Sequence, residues 1–273
     1  MVSYLGSTYP WHDELVASGE PSTGGQSPAS PATASGAPLI LTGVVGLAGV
    51  AAGRDVQGIS LQVPPGQSIA LLSRPASTAT DLLDVVAGLR RPSSGQVVVD
   101  GIAVHQLRGP ALDRYRSRRG LLSMRFPLLQ SLSVMDNVLA PVRARRIEPV
   151  ARERAAQLLA FTGAAETAAD PVRTLSEEQQ WRILLARALM PSPHLVLAED
   201  PARSLDPDGA GAILDLLTKA HALFGFTLLL TIGRVATASR CQRLVSVVDG
   251  AVADDVLMLG DDSWTRGRID RIG

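Results

Sequence analysis

Five short apolar runs punctuate the chain: SIALL (68–72), QVVVD (96–100), HLVLA (194–198), TLLLTI (227–232) and RLVSVV (243–248). Apolar residues in succession, without alternation, suit strands buried on both faces, as in a parallel sheet covered by helices. Between the runs, apolar residues recur at helical spacing over Asp81 to Leu89, Ala151 to Thr162, Gln179 to Met190 and Asp208 to Phe224. Strands alternating with helices predict an α/β sandwich around a mostly parallel sheet.

The regular pattern starts near Pro38. Residues 1–37 are dominated by Ser, Gly, Pro, Ala and Thr, as in PSTGGQSPASPATASGAP. Such a segment cannot bury a core and is expected to be a disordered tail. Its tip carries Tyr4, Tyr9 and Trp11, a stray end or a partner-docking element. A second tail is expected over 261–273. The apolar stretch from Leu39 to Gly53 falls short of the ~20 residues that cross a bilayer. Gly43, Gly46, Gly49 and Gly53 within it predict two strands joined by a glycine-rich turn.

Charge changes the picture by exclusion. Lys plus Arg and Asp plus Glu both number 26, so no positive excess exists to neutralise a nucleic-acid backbone. The single cysteine, Cys241, excludes an internal disulfide and a cysteine metal cluster. No basic residue precedes Arg54, so no secretory leader is expected. The chain has one lysine, Lys219, inside the helical stretch LLDLLTKAHAL. Chemistry that needs a lysine in a glycine-rich loop is therefore excluded at every position. His12, His105, His194 and His221 are read as surface or structural residues.

Four segments carry a family likeness: SSGQVVVDG (93–101), TLSEEQQWRILLARAL (174–189), LVLAEDPARSLDP (195–207) and LLLTIGRVATASRCQRLVSVVDG (228–250). In order and spacing the chain resembles the nucleotide-binding subunit of ABC transporters, from about Pro38 to Asp255. The stretch VMDNVLAPV (134–142) is similar to the branch serving lipoprotein-release and macrolide-export permeases. The resemblance implies a P-loop NTPase-like ABC ATPase fold over 38–260. That fold has a mostly parallel core sheet, an antiparallel β subdomain and a helical signature subdomain at about 124–185. It also implies a head-to-tail dimer that holds two ATP molecules, with Mg, under an integral-membrane permease.

Residue by residue, the nucleotide positions depart from the family pattern. The phosphate loop reads Ser73-Arg74-Pro75-Ala76-Ser77-Thr78-Ala79-Thr80. It lacks the glycines that let backbone N–H groups curl round a phosphate, and Ala79 stands in the lysine's place. Arg74 lies at the wrong end of the loop to replace that lysine. Thr80 keeps the magnesium-ligand position. Asp81 is expected in the first turn of the next helix, either as an ordinary acid there or as a partial substitute for phosphate charge. Ala48 falls where the family stacks adenine on an aromatic, and Met124 falls at the Q-loop glutamine, with Gln130 too late to serve.

The signature reads Leu175-Ser176-Glu177-Glu178-Gln179, with two acids in place of two glycines. At ~4 Å and an effective dielectric near 20, each would oppose a phosphate charge by about 4 kcal/mol before solvent screening. The same acids suit a first helical turn. Walker B ends in Glu199-Asp200, the family's acids with lengths exchanged, and Glu199 with Thr80 forms the candidate metal pair. Ser204-Leu205-Asp206 keeps the D-loop form. Gly233 occupies the switch-histidine position. Phe126, Leu128, Leu129 and Met135 are candidates for a groove that receives a permease helix.

The resemblance with these departures implies a catalytically degenerate cassette. It would be cytoplasmic and peripheral on the membrane, a structural or coupling partner of a permease and of an ABC ATPase in a homo- or heterodimer. ATP and Mg binding would be weak or absent. Two other readings stay open: an active or weakly ATP-binding ATPase, and a soluble regulatory module derived from the same fold.

Overall fold

The computed structural model describes residues 36–45, 58–142 and 149–257. The expected tails at 1–37 and 261–273, apart from residues 36 and 37, lie outside the described residues, as do Ala48 and the glycine-rich stretch 46–57.

Among the described residues, ten strands form two sheets. The first is antiparallel, in the order β2 (Ile59–Val63), β1 (Leu39–Val45), β4 (Ser94–Val99), β5 (Ile102–Ala103). The second runs β10 (Ala251–Leu257), β9 (Arg243–Val248), β3 (Ser68–Arg74), β8 (Thr227–Ile232), β7 (Leu195–Ala198), β6 (Gly120–Leu122). All its pairings are parallel except β10 with β9.

The uninterrupted apolar runs have the anticipated cause. On β3, Ile69 and Leu71 enter one hydrophobic core while Ala70 and Leu72 enter the other. On β7, Leu195 and Leu197 face the first core, and Val196 and Ala198 the second. A strand buried on both faces has no reason to alternate. The run QVVVD is the exception. It forms β4 of the antiparallel sheet, where Val97 and Val99 are buried and Val98 is only partly so.

The described residues also form the α-helices α1 (Ala76–Val86), α2 (Gly109–Arg116), α3 (Val134–Leu139), α4 (Pro149–Phe161), α5 (Glu177–Leu189) and α6 (Pro207–Phe224). The four anticipated from spacing are α1, α4, α5 and α6. Helix α6 stops where Gly225 adopts φ 65°, a left-handed cap that glycine reaches without strain. The short β6, α2 and α3 and the antiparallel edge strand β10 had no such signal. Helices α3, α4 and α5 pack on one another to form the helical part; α5 also packs on β6, and its Trp181, Leu184 and Leu185 share one hydrophobic core with Val196 and Leu228 of the sheet. Among the described residues no helix is long and apolar enough to cross a membrane.

The segment between β6 and α3 has no regular structure, yet side chains pin it. Asn137 is fully buried. Its Oδ1 accepts from the Leu129 N–H at 2.7 Å, and its Nδ2 donates to Leu129 O at 3.1 Å and Ser133 O at 3.0 Å. Asn137→Ala removes three hydrogen bonds from a buried side chain to the backbone of Leu129 and Ser133, and is expected to cost about 1–3 kcal/mol. Urea denaturation would read that loss, and amide exchange would quicken selectively around Leu129.

Candidate functional site

The carboxyl ends of β3, β8, β7 and β6 lie side by side, and of the expected site residues in the segments that follow them, the structure joins Asp200 with Gly233. At the end of β3 the chain turns once, at Pro75, and is helical from Ala76. The anticipated loop 73–80 is thus largely the first turn and a half of α1. Without glycines the residues after Pro75 have only ordinary conformations available, and the helix takes them. Two N–H groups of this turn are already used. Thr78 N–H donates to Pro75 O at 3.0 Å, and Ala79 N–H donates to the Ser73 hydroxyl at 2.9 Å. That hydroxyl donates in turn to Pro75 O at 3.0 Å. Thr78 and Ala79 are buried and Thr80 is partly so, whereas Arg74, Ala76 and Ser77 are exposed.

Asp81 requires a correction. Because α1 begins five residues earlier than its apolar spacing indicated, Asp81 sits in the second turn, and the first turn holds no acid. It is buried and pairs with Arg90 at 2.6 Å, past the far end of the helix. Its charge is matched within the chain and cannot stand in for a phosphate at the helix start.

The acid pair follows β7. Both Glu199 and Asp200 are buried. Glu199 Oε2 accepts from the Ser123 hydroxyl at 2.6 Å, and Oε1 is bound by Arg125 Nε. Arg125 also forks onto Asp84 of α1, with Nη1 to Oδ2 at 3.0 Å and Nη2 to Oδ1 at 2.8 Å. Those Asp84 bonds hold the Arg125 guanidinium above its usual pKa, against the opposing effect of its partial burial. Asp200 Oδ2 accepts the Gly233 N–H at 2.8 Å, and the Asp200 N–H donates to Thr231 Oγ1 at 3.3 Å. Gly233 therefore meets the acid pair through its backbone. The proposed pair of Thr80 and Glu199 does not fit a divalent cation here. Both Glu199 oxygens are engaged, one by a guanidinium, and no group of three or more His, Cys, Asp or Glu able to hold a metal occurs among the described residues.

Met124 is partly buried against the core. The partner of the acid pair is its neighbour Arg125, which sequence reasoning passed over. The only hint was a basic residue beside the Q-loop position. Of the apolar residues expected to line a partner groove, Leu128 is buried and Met135 packs against the core, which corrects their assignment. Phe126 and Leu129 are exposed.

The signature is a helix start. Ser176 caps α5 and accepts from the Gln179 N–H at 3.3 Å, while Gln179 Oε1 accepts from the Ser176 N–H at 2.8 Å, a reciprocal capping box. Glu178 binds Arg182 one turn on at 2.8 Å, so its charge is directed along the helix. Glu177 is exposed, and Leu175 packs against the core. Trp181 of α5 donates to Ser204 Oγ at 3.2 Å, linking signature helix and D-loop. Leu205 packs against the core, and Asp206 caps α6 by accepting from the Gly209 N–H at 2.7 Å.

A family model described as ABC transporter matches residues 56–203. The phosphonates import ATP-binding protein PhnC of Frankia casuarinae is 35% identical over 207 residues, covering 72% of this chain and 82% of that protein. The lipoprotein-releasing system ATP-binding protein LolD 1 of Caulobacter vibrioides is 32% identical over 206 residues, covering 74% and 88%. Among solved structures, a dimeric post-hydrolysis state of the ATP-binding cassette MJ0796 bound to ADP and Pi overlays with a TM-score of 0.71. It is 23% identical and covers 82% of this chain and all of that one, a likeness of fold. With two sheets, a helical part and the ordered segments in place, this chain belongs to the ABC transporter ATP-binding family.

Proposed function

We propose that this chain is an ABC cassette subunit whose own half of the nucleotide site is inactive. It acts as a structural and coupling partner of an integral-membrane permease, peripheral on the cytoplasmic face, as a homodimer or beside a competent ATPase subunit. The observation that carries the reading is the closure of the phosphate loop on itself. A phosphate at a helix start needs free N–H groups and benefits from a lysine. Here the Ala79 N–H is taken by Ser73, the Thr78 N–H by Pro75, and the lysine position is a buried alanine. The exposed, negatively charged Glu177 in the signature supports the same reading.

The coupling part of the proposal is supported by the segment after β6. Arg187 of α5 donates to Pro127 O at 3.0 Å and to Phe126 O, so the segment is fastened to the signature helix. A cavity of about 430 Å³ beside it is lined by Leu89, Arg116, Leu121, Phe126 and Arg187. An amphipathic permease helix could seat an apolar side chain there between basic residues.

Calorimetric titration of the purified chain with ATP and Mg should show binding weaker than about 1 mM, and phosphate release at background. Micromolar affinity with turnover would overturn the reading. Ala79→Lys alone should leave both unchanged, because Ser73 still holds the loop N–H. Ser73→Ala should cost about 1 kcal/mol of stability by removing this cap, read as a melting point lowered by roughly 2–4 °C. Co-purification with a permease separates a transporter subunit from a free regulatory module.

A further inference from the structure

The loop after β6 contains a cation fixed to the backbone. All three guanidinium nitrogens of Arg125 bind carboxylate oxygens: Nε to Glu199, and Nη1 and Nη2 to Asp84 at 3.0 and 2.8 Å. Ser123 completes the cluster. Its hydroxyl donates to Glu199 Oε2 at 2.6 Å and accepts the Arg125 N–H at 3.1 Å. The four carboxylate oxygens of Asp84 and Glu199 are thus all occupied from within the chain. Three elements meet at the one guanidinium: helix α1 through Asp84, the end of β7 through Glu199, and the segment leading to Phe126. Two carboxylates this close, one of them buried, repel each other unless a cation lies between them. Oxygen ligands of this kind ordinarily collect a hard divalent ion.

We propose that Arg125 is a built-in substitute for a divalent cation, neutralising Glu199 and Asp84 and clamping the partner-facing segment to the core without metal or nucleotide. A bound metal can dissociate; a charge on the side chain cannot. The segment carrying Phe126 and Leu129 is therefore held in one arrangement at all times. The inference stands on the geometry of the clamp and is independent of whether the phosphate loop binds ATP. Nucleotide titration decides that question, and metal titration without nucleotide decides this one.

The test uses the full chain, stripped with EDTA, with Mn²⁺ as probe. Melting temperature and the paramagnetic resonance signal of free Mn²⁺ are followed for wild type, Arg125→Ala and Arg125→Ala/Glu199→Gln. The wild type should melt at the same temperature with and without millimolar Mn²⁺ and leave the free-ion signal unchanged. Arg125→Ala should melt roughly 5–10 °C lower in EDTA, as expected when a buried charge loses its partner. It should take up Mn²⁺ and recover part of the loss. The double variant should recover stability without metal and take up none.

Uptake of Mn²⁺ by the wild type overturns the proposal. So does an Arg125→Ala variant as stable as the wild type. Destabilisation without Mn²⁺ uptake overturns the substitution and leaves a simple ion pair. If Arg125→Ala does not fold in EDTA, Mn²⁺ decides: recovery of the folded state on adding millimolar Mn²⁺ supports the proposal, and failure to recover it overturns the proposal.

Discussion

Two buried carboxylates at the end of one central strand set the terms for this molecule. Glu199 and Asp200 follow β7, between the ends of β6 and β8, and an ionised carboxylate out of water must be paired or hydrogen-bonded. The chain meets that demand internally. Arg125 and Ser123 take Glu199, and the Gly233 N–H takes Asp200. Because the partners come from the loops after β6 and β8, satisfying the acids fixes those loops. The acid pair thereby orders the end of the sheet where an ABC cassette would be expected to meet nucleotide.

The same internal closure recurs along that end. Ser73 closes the turn after β3, Ser176 and Gln179 close the start of α5, and Asp206 closes the start of α6. Each uses a short polar side chain to satisfy a backbone donor near a helix start. The segment from Arg125 to Leu129 is held from three sides, by Asp84 and Glu199, by Arg187, and by Asn137. Apolar surface at Phe126 and Leu129 is then displayed on a segment held by side chains of the chain itself.

Much of the fold could be read in advance for a definite reason. Strands β3, β7, β8 and β9 are apolar on both sides because each feeds two cores, and helices α4, α5 and α6 carry enough turns for their spacing to register. The misplaced start of α1 has an equally definite cause. Ser73 to Thr80 contains no apolar periodicity, so spacing revealed the helix only from Asp81, while the residues before it became helical for lack of any glycine. That displacement moved Asp81 from a supposed phosphate mimic to a partner of Arg90. Leu128 and Met135 look like surface-groove residues in sequence because nothing local distinguishes an apolar residue that turns inward from one that turns outward.

Sequence alone determined what this chain lacks. With Lys219 inside α6, no alignment can place a lysine in the phosphate loop, and the loop's missing glycines are equally independent of register. It also determined the family, since the order of signature, acid pair and D-loop survives in the letters. Only tertiary structure decided what fills the space. The Arg125 pairing joins residues 41 and 74 positions apart along the chain. Nothing in local spacing encodes such a contact, because it depends on how β6, β7 and α1 are laid beside one another.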